Sequence, residues 1–162
     1  MSPSPNRSRA GSRLLDEPDS STLDNQLDIA ELHGNLGYLV RRLQVAIFRN
    51  FMTTLAPMNV RPAQYSVLVL IAANPGSSQA AIGLALNIER ARLARMLHEL
   101  ERREWVERRN RDGRSHALFL TGAGRKALKS LQELVARHED EVAELIGHKR
   151  RTQLMDLLKD VG

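Results

Sequence analysis

Residues 87–121 read NIERARLARMLHELERREWVERRNRDGRSHALFLT, and the reading of this stretch decides the fold. Between Glu89 and Arg103, the residues Leu93, Met96, Leu97 and Leu100 recur at i, i+3, i+4 and i+7, one stripe of a helix. At about 100° per residue, Ala91, Arg95, His98 and Arg102 fall opposite that stripe. Arg92 and Glu99 flank them, and Arg90 stands at the helix start. The spacing predicts a helix that buries leucines and presents arginines. The planar fork of a guanidinium suits guanine edges and phosphates, and a helix of this kind fits the major groove of DNA.

The residues that follow predict a hairpin. Trp105 and Val106 lead into an extended segment, Glu107 to Asn110. Arg111-Asp112-Gly113-Arg114 has turn chemistry, and His116 to Leu120 returns as a second strand. Arg108, Arg109, Arg111 and Arg114 are expected near the hairpin tip, within reach of phosphates or the minor groove. Taken alone, such an arginine run also fits a solvated charged hairpin. A reading helix followed at once by a basic hairpin points to a wing on DNA.

Composition narrows the function classes. The chain has 162 residues, enough for one domain with its own core, and a net charge of +5. Residues 87–116 hold nine Arg against six Asp or Glu, so +3 of the charge lies on the proposed reading head. There is no cysteine, which removes disulfides, cysteine-zinc sites and thiol sensing. No apolar run approaches the roughly 20 residues of a membrane span, and no signal-peptide core is present at the N-terminus. A cytoplasmic protein without membrane partners is expected.

Residues 1–22 are rich in Ser, Pro and Arg and read as a disordered tail. Residues 23–162 are expected to form a single domain, with residues 23–60 and 122–162 as dimerisation helices around a winged helix-turn-helix at 61–121. From Leu27 to Leu55 the apolar residues Leu36, Leu39, Val40, Leu43, Ile47, Phe51 and Leu55 step by three and four. This stripe is wider than one small domain needs, so part of it is expected to face a partner chain. Gly34 and Gly37 weaken its start, and Pro57 forces an end near Leu55. A second helix starts at Arg61-Pro62 and stops at Asn74-Pro75-Gly76. Ser77 or Ser78 caps a short helix from Gln79 to Leu86, and Asn87-Ile88 turns into the reading helix. Thr121 caps the last long helix, marked by Leu128, Leu131, Leu134, Val135, Val142 and Leu145. Gly147 interrupts it before Leu154, Leu157 and Leu158. The fold class is mainly α with a small β wing. Long helices at both ends suggest a homodimer over a monomer with a helical cap.

With these elements in place, the sequence resembles the MarR-type transcriptional regulators from about Leu36 to Leu158, most densely from Arg61 to Lys126. The resemblance is carried by RPAQYSVLVLIAANPGSSQAAIGLAL, ERARLARMLHELERREWVERR and DGRSHALFLTGAGRKAL. It implies an obligate dimer on a roughly palindromic double-stranded operator, usually acting as a repressor. It also implies that Asp112 and Arg114 pair to shape the wing while Arg114 reaches the minor groove. An exposed pair of this kind is otherwise worth little. Many members respond to aromatic acids or their coenzyme A thioesters in a cleft beside the dimerisation helices. Two departures stand out. Ala91, Arg92 and Ala94 replace the Ser and Thr frequent early in the reading helix, and Glu104 stands where the family often has Gly.

The candidate DNA-binding residues are Arg90, Arg92, Arg95, His98, Arg109, Arg111, Asp112 and Arg114. An effector cleft for an aromatic anion needs an apolar box and a cationic anchor. The candidates are Tyr38, Arg41, Arg42, Phe48, Arg49, Met52, Met58 and Tyr65. Several arginines suit a multiply phosphorylated acyl-CoA better than a simple benzoate. Solvated arginines over an ordinary Met and Phe core are the plainer alternative. The five histidines are scattered, and His138-Glu139-Asp140 lacks a second histidine at i+4, so no metal is expected. No phosphate loop, nucleophile elbow or paired-carboxylate motif appears, so neither an enzyme nor a cofactor is expected. A constitutive or architectural DNA binder without effector remains open, as does a helical interaction module with solubilising arginines. Under the DNA reading, Arg95→Ala and Arg114→Ala should each weaken operator binding in an anisotropy titration without unfolding the dimer. Wild-type affinity in both variants would refute the contact assignment.

Overall fold

The computed structural model describes residues 28–110 and 116–161. The proposed tail at 1–22 and the wing-tip residues Arg111, Asp112 and Arg114 lie outside them. In chain order the elements are α1 (Ala30–His33), α2 (Leu36–Leu55), a 3-10 turn (Ala56–Met58), α3 (Pro62–Ala73), β1 (Ser77–Ser78), α4 (Gln79–Leu86), α5 (Arg90–Arg102), β2 (Val106–Asn110), β3 (His116–Leu120), α6 (Gly122–Ile146) and α7 (His148–Val161). The mainly α fold with a small antiparallel β wing agrees with the sequence reading. The segment expected as one helix from Leu27 to Leu55 is two, because Gly34-Asn35 interrupts it; glycine costs a helix interior about 1 kcal/mol. The sequence also gave no sign of β1. Its two residues pair with β3 through Ser77↔Leu118 and Ser78↔Ala117, making a three-stranded sheet in the order β1-β3-β2.

The chain divides into two compact units, Met52–Ala136 and Met1–Phe51 with Arg137–Gly162. The first holds the helix-turn-helix and the wing. Its core is Leu55, Val67, Leu68, Ile71, Ile82, Leu93, Leu97, Leu100, Val106, Leu118 and Leu131, all buried. Helix α3 packs on β3 and α4, and α5 packs on α4 and β2. Full burial of each such side chain is worth roughly 1.5–3 kcal/mol against exposure, so the leucine stripe of α5 is enough to fix which face the helix presents.

The end of α5 is closed by a reciprocal pair of backbone bonds. Trp105 N–H donates to Leu100 O at 3.0 Å and Glu104 N–H to Glu101 O at 2.8 Å, with Glu104 at φ 58. This is a Schellman closure with glutamate in the left-handed position that glycine prefers. Thr121 sits over it: its hydroxyl donates to Glu104 O and accepts from Gly124 N–H at 2.9 Å. Thr121 N–H donates to Trp105 O at 3.1 Å. A Cβ on Gly124 would stand 1.9 Å from Trp105 O, so only glycine fits there.

In the other unit, α1, α2 and α7 leave apolar side chains in the open. Leu36 is 77 % exposed and Leu157 65 %, with Leu32, Leu39, Val40, Val45, Phe48, Met155 and Leu158 also exposed. Gly147, at φ +88, separates α6 from α7. His138 of α6 is 2 % exposed and stacks on Phe51 with ring centroids 4.8 Å apart. Asn50 Nδ2 donates to Glu141 at 2.9 Å, which turns Asn50 Oδ1 to accept from His138 Nδ1–H. Burial pushes the His138 pKa below its ordinary 6.5, opposed in part by Glu139 and Glu141.

Two outcomes follow for stability. Glu104→Gly relieves a left-handed side chain and should raise stability by about 1 kcal/mol, whereas Gly124→Ala should cost about 3 kcal/mol or more by forcing Trp105 away, both read by urea denaturation. His138 is held neutral in the fold while the unfolded chain protonates near 6.5. Its contribution is therefore complete above that pH and is lost as pH falls toward the lowered folded value. The urea midpoint should drop on acidification below about 6.5, and His138→Gln should flatten that dependence.

Candidate nucleic-acid interface

Four local features set the reading helix. Ser78 caps α4, its Oγ accepting from Ala81 N–H at 3.2 Å. Asn87 takes φ 50 at the turn, and Ile88 N–H donates to Gly83 O at 2.9 Å. Asparagine tolerates this left-handed conformation. Gln79 Nε2 donates to Arg90 O at 3.3 Å, tying the start of α4 to the start of α5. Gln64, only 3 % exposed, accepts from Arg61 N–H through Oε1 and donates to Glu99 through Nε2 at 2.7 Å. That bond fixes the middle of α5 from inside.

The presented face matches the sequence expectation. Arg90, Arg92, Arg95 and His98 are exposed, while Leu93, Leu97 and Leu100 are buried. Alongside runs a groove of about 870 Å³ whose lining includes Ser78, Gln79, Arg90, Arg108 and His116. In the hairpin, Arg108 and Arg109 stand on β2, opposite Leu118 and Ala117, and not at the tip where the sequence reading put them. Arg108 Nε donates to Glu101. Arg109 donates to Glu107, and its guanidinium lies 4.4 Å from the centre of the Phe119 ring. A basic helix, a groove and a basic strand share one unit, the arrangement that a duplex requires.

Known proteins share this arrangement. A family model described as MarR family matches residues 58–115, from the turn after α2 to the wing. A Thauera aromatica protein, a putative transcriptional regulatory protein for the hcr operon, is 34% identical over 140 residues, 82% of this chain and 84% of that protein. The chain belongs to the MarR family. The transcriptional repressor CouR, solved on a 23-mer DNA duplex, is similar at 40% identity and TM-score 0.80, over 85% of this chain and 99% of that one. CouR bound to p-coumaroyl-CoA is similar at 40% identity and TM-score 0.76, over 84% and 97%. These relatives are DNA-binding transcriptional regulators rather than enzymes, and this class of function holds for the present chain. Among the described residues, no helix is long and apolar enough to cross a membrane.

The effector candidates of this MarR-family chain fall in two groups. Tyr38, Arg41, Arg42, Phe48 and Arg49 lie in one unit, Met52, Met58 and Tyr65 in the other. Arg41, Arg42, Phe48, Arg49 and Met52 are exposed; Tyr38, Met58 and Tyr65 are half-buried. Tyr38 and Arg42 are brought together: Arg42 donates to His33 Nε2 at 3.0 Å and lies 6.0 Å from the Tyr38 ring centre, which is 5.9 Å from the His33 ring. Met58 offers its carbonyl to Arg103, whose second guanidinium nitrogen reaches Asn59 O at 2.7 Å.

The sequence reading missed His33, Gln64, Gln79 and Glu101 as contributors. Gln64 had a legible signal, a glutamine two residues after the helix-starting Pro62, where its side chain can reach back to the N-cap N–H. His33 lies across a helix break from Arg42, and Glu101 meets Arg108 only once the hairpin folds back, so neither had a periodic signal. Gln64→Ala should lower specific DNA affinity by loosening Glu99 while the secondary structure persists. Unchanged affinity, with circular dichroism also unchanged, would remove Gln64 from the positioning of α5.

Proposed function

We propose that the protein is a homodimeric repressor that leaves its operator when an aromatic acyl-CoA, or the corresponding aromatic acid, binds. The observation that carries this reading is the likeness to CouR, solved both on a DNA duplex and with p-coumaroyl-CoA. The chain's own features support it. The exposed leucines of α1, α2 and α7 suit burial against a second copy. Arg90, Arg92, Arg95 and His98 face the major groove. Arg111 and Arg114 approach the backbone or minor groove, Asp112 orders Arg114, and Arg109, paired with Glu107, stands back from the phosphates.

For the effector, Arg41, Arg42 and Arg49 supply cationic forks for phosphates, while Tyr38 and Phe48 supply aromatic surface. Met52, Met58 and Tyr65 remain the sequence's candidates for apolar lining. Ligand favours a dimer whose two reading helices are wrongly spaced for the operator, a shift of population between states. For a repressor of this kind the proposed location is the cytoplasm.

The Arg41→Ala/Arg42→Ala double variant tests the effector site. Losing two charge-assisted contacts should raise the thioester concentration needed for release roughly 100-fold, while operator affinity without ligand stays as in wild type. An unchanged response, or loss of operator binding itself, would place the effector elsewhere.

A further inference from the structure

The arginines of this chain differ in how they are held. Among the described residues, no ion pair involves Arg90, Arg92 or Arg95 of α5, whereas both arginines of β2 are engaged. Glu101, on the last turn of α5, holds Arg108, and both side chains are only about one-third exposed or less (31% and 27%). Glu107 meets Arg109 in a more exposed pair (41% and 62%), and the Arg109 guanidinium is also laid over Phe119. The wing strand thus carries two cations whose charge is already answered by the protein.

We propose that Glu101 and Glu107 withhold Arg108 and Arg109 from DNA phosphates and so set how tightly, and with what salt dependence, the protein holds any duplex. The inference rests on the DNA-binding reading above. Binding to arbitrary sequence draws on phosphate contacts alone, whereas binding to an operator adds base contacts from the reading helix. A carboxylate paired with a wing arginine removes one phosphate contact and places a negative charge near the backbone. A phosphate contact is indifferent to sequence, so the restraint lowers affinity for every duplex by a similar factor and leaves selectivity to the base contacts. Arg108 also lines the groove beside Arg90, so its release would add positive charge next to the reading helix.

The test compares wild type, Glu101→Gln, Glu107→Gln and Glu101→Gln/Arg108→Ala. Each is titrated on the duplex upstream of the protein's own gene and on a scrambled duplex of equal length and composition, across a salt series. Wild type must prefer the upstream duplex and lose affinity with salt; if it does neither, the DNA reading falls and this inference with it. Given that behaviour, each Gln variant should bind both duplexes tighter by a similar, several-fold factor. Its salt slope should steepen by roughly 0.9, one added phosphate contact. Adding Arg108→Ala to Glu101→Gln should return the slope to the wild-type value. Gln variants with unchanged slope and unchanged scrambled-DNA affinity would overturn the proposal. So would a parallel loss on both duplexes, which would make the ion pairs scaffolding for the wing.

Discussion

The functional unit depends on one crowded junction, where the backbone of Trp105 passes against Gly124. There α5 ends, β2 begins and α6 starts within a few ångströms. Thr121 bonds to Glu104 O and Gly124 N–H at once, and Trp105 O receives Thr121 N–H. No side chain fits between, since even a Cβ on Gly124 would overlap that carbonyl. The direction of the wing relative to the reading helix is therefore fixed by backbone contact, which is far stiffer than contact between long side chains. The left-handed Glu104 is the strain that accompanies this turn.

From this junction the presentation of charge follows. Three buried leucines hold one face of α5 inward, Gln64 holds Glu99, and Gln79 holds the helix start. What remains outward is Arg90, Arg92, Arg95 and His98 on a helix that cannot rotate without exposing the core. The wing arginines Arg108 and Arg109 are placed by the sheet register and kept close by carboxylates. Positive charge on this surface is thus divided between side chains open to a duplex and side chains answered internally.

Much of this was legible in the sequence because it is local. The α5 stripe, the Ser78 and Thr121 caps, the Asn87 turn and the Pro62 helix start are all signals carried within a few residues, and the structure has each of them. The interruption at Gly34-Asn35 was partly legible, since Gly34 weakens the helix start and the apolar series begins only at Leu36. Strand β1 was hidden because two serines have no strand pattern of their own; they become a strand only by meeting Leu118 and Ala117. The ion pairs Glu101–Arg108 and Glu107–Arg109 needed the folded hairpin, so the extended segment Glu107 to Asn110 was legible while the partners of its arginines were not. His33 beside Arg42 was invisible for the same reason, a contact made across a break in the helix.

The most direct measurement is fluorescence anisotropy of the full chain on the DNA upstream of its own gene, titrated with p-coumaroyl-CoA and, separately, with the free acid. The account predicts tight, salt-sensitive, sequence-selective binding that the thioester abolishes and the free acid disturbs far less. Binding without sequence preference or salt dependence would contradict it, leaving a helical interaction module whose arginines only solubilise. Selective binding that neither compound disturbs would contradict the effector half, leaving a constitutive regulator.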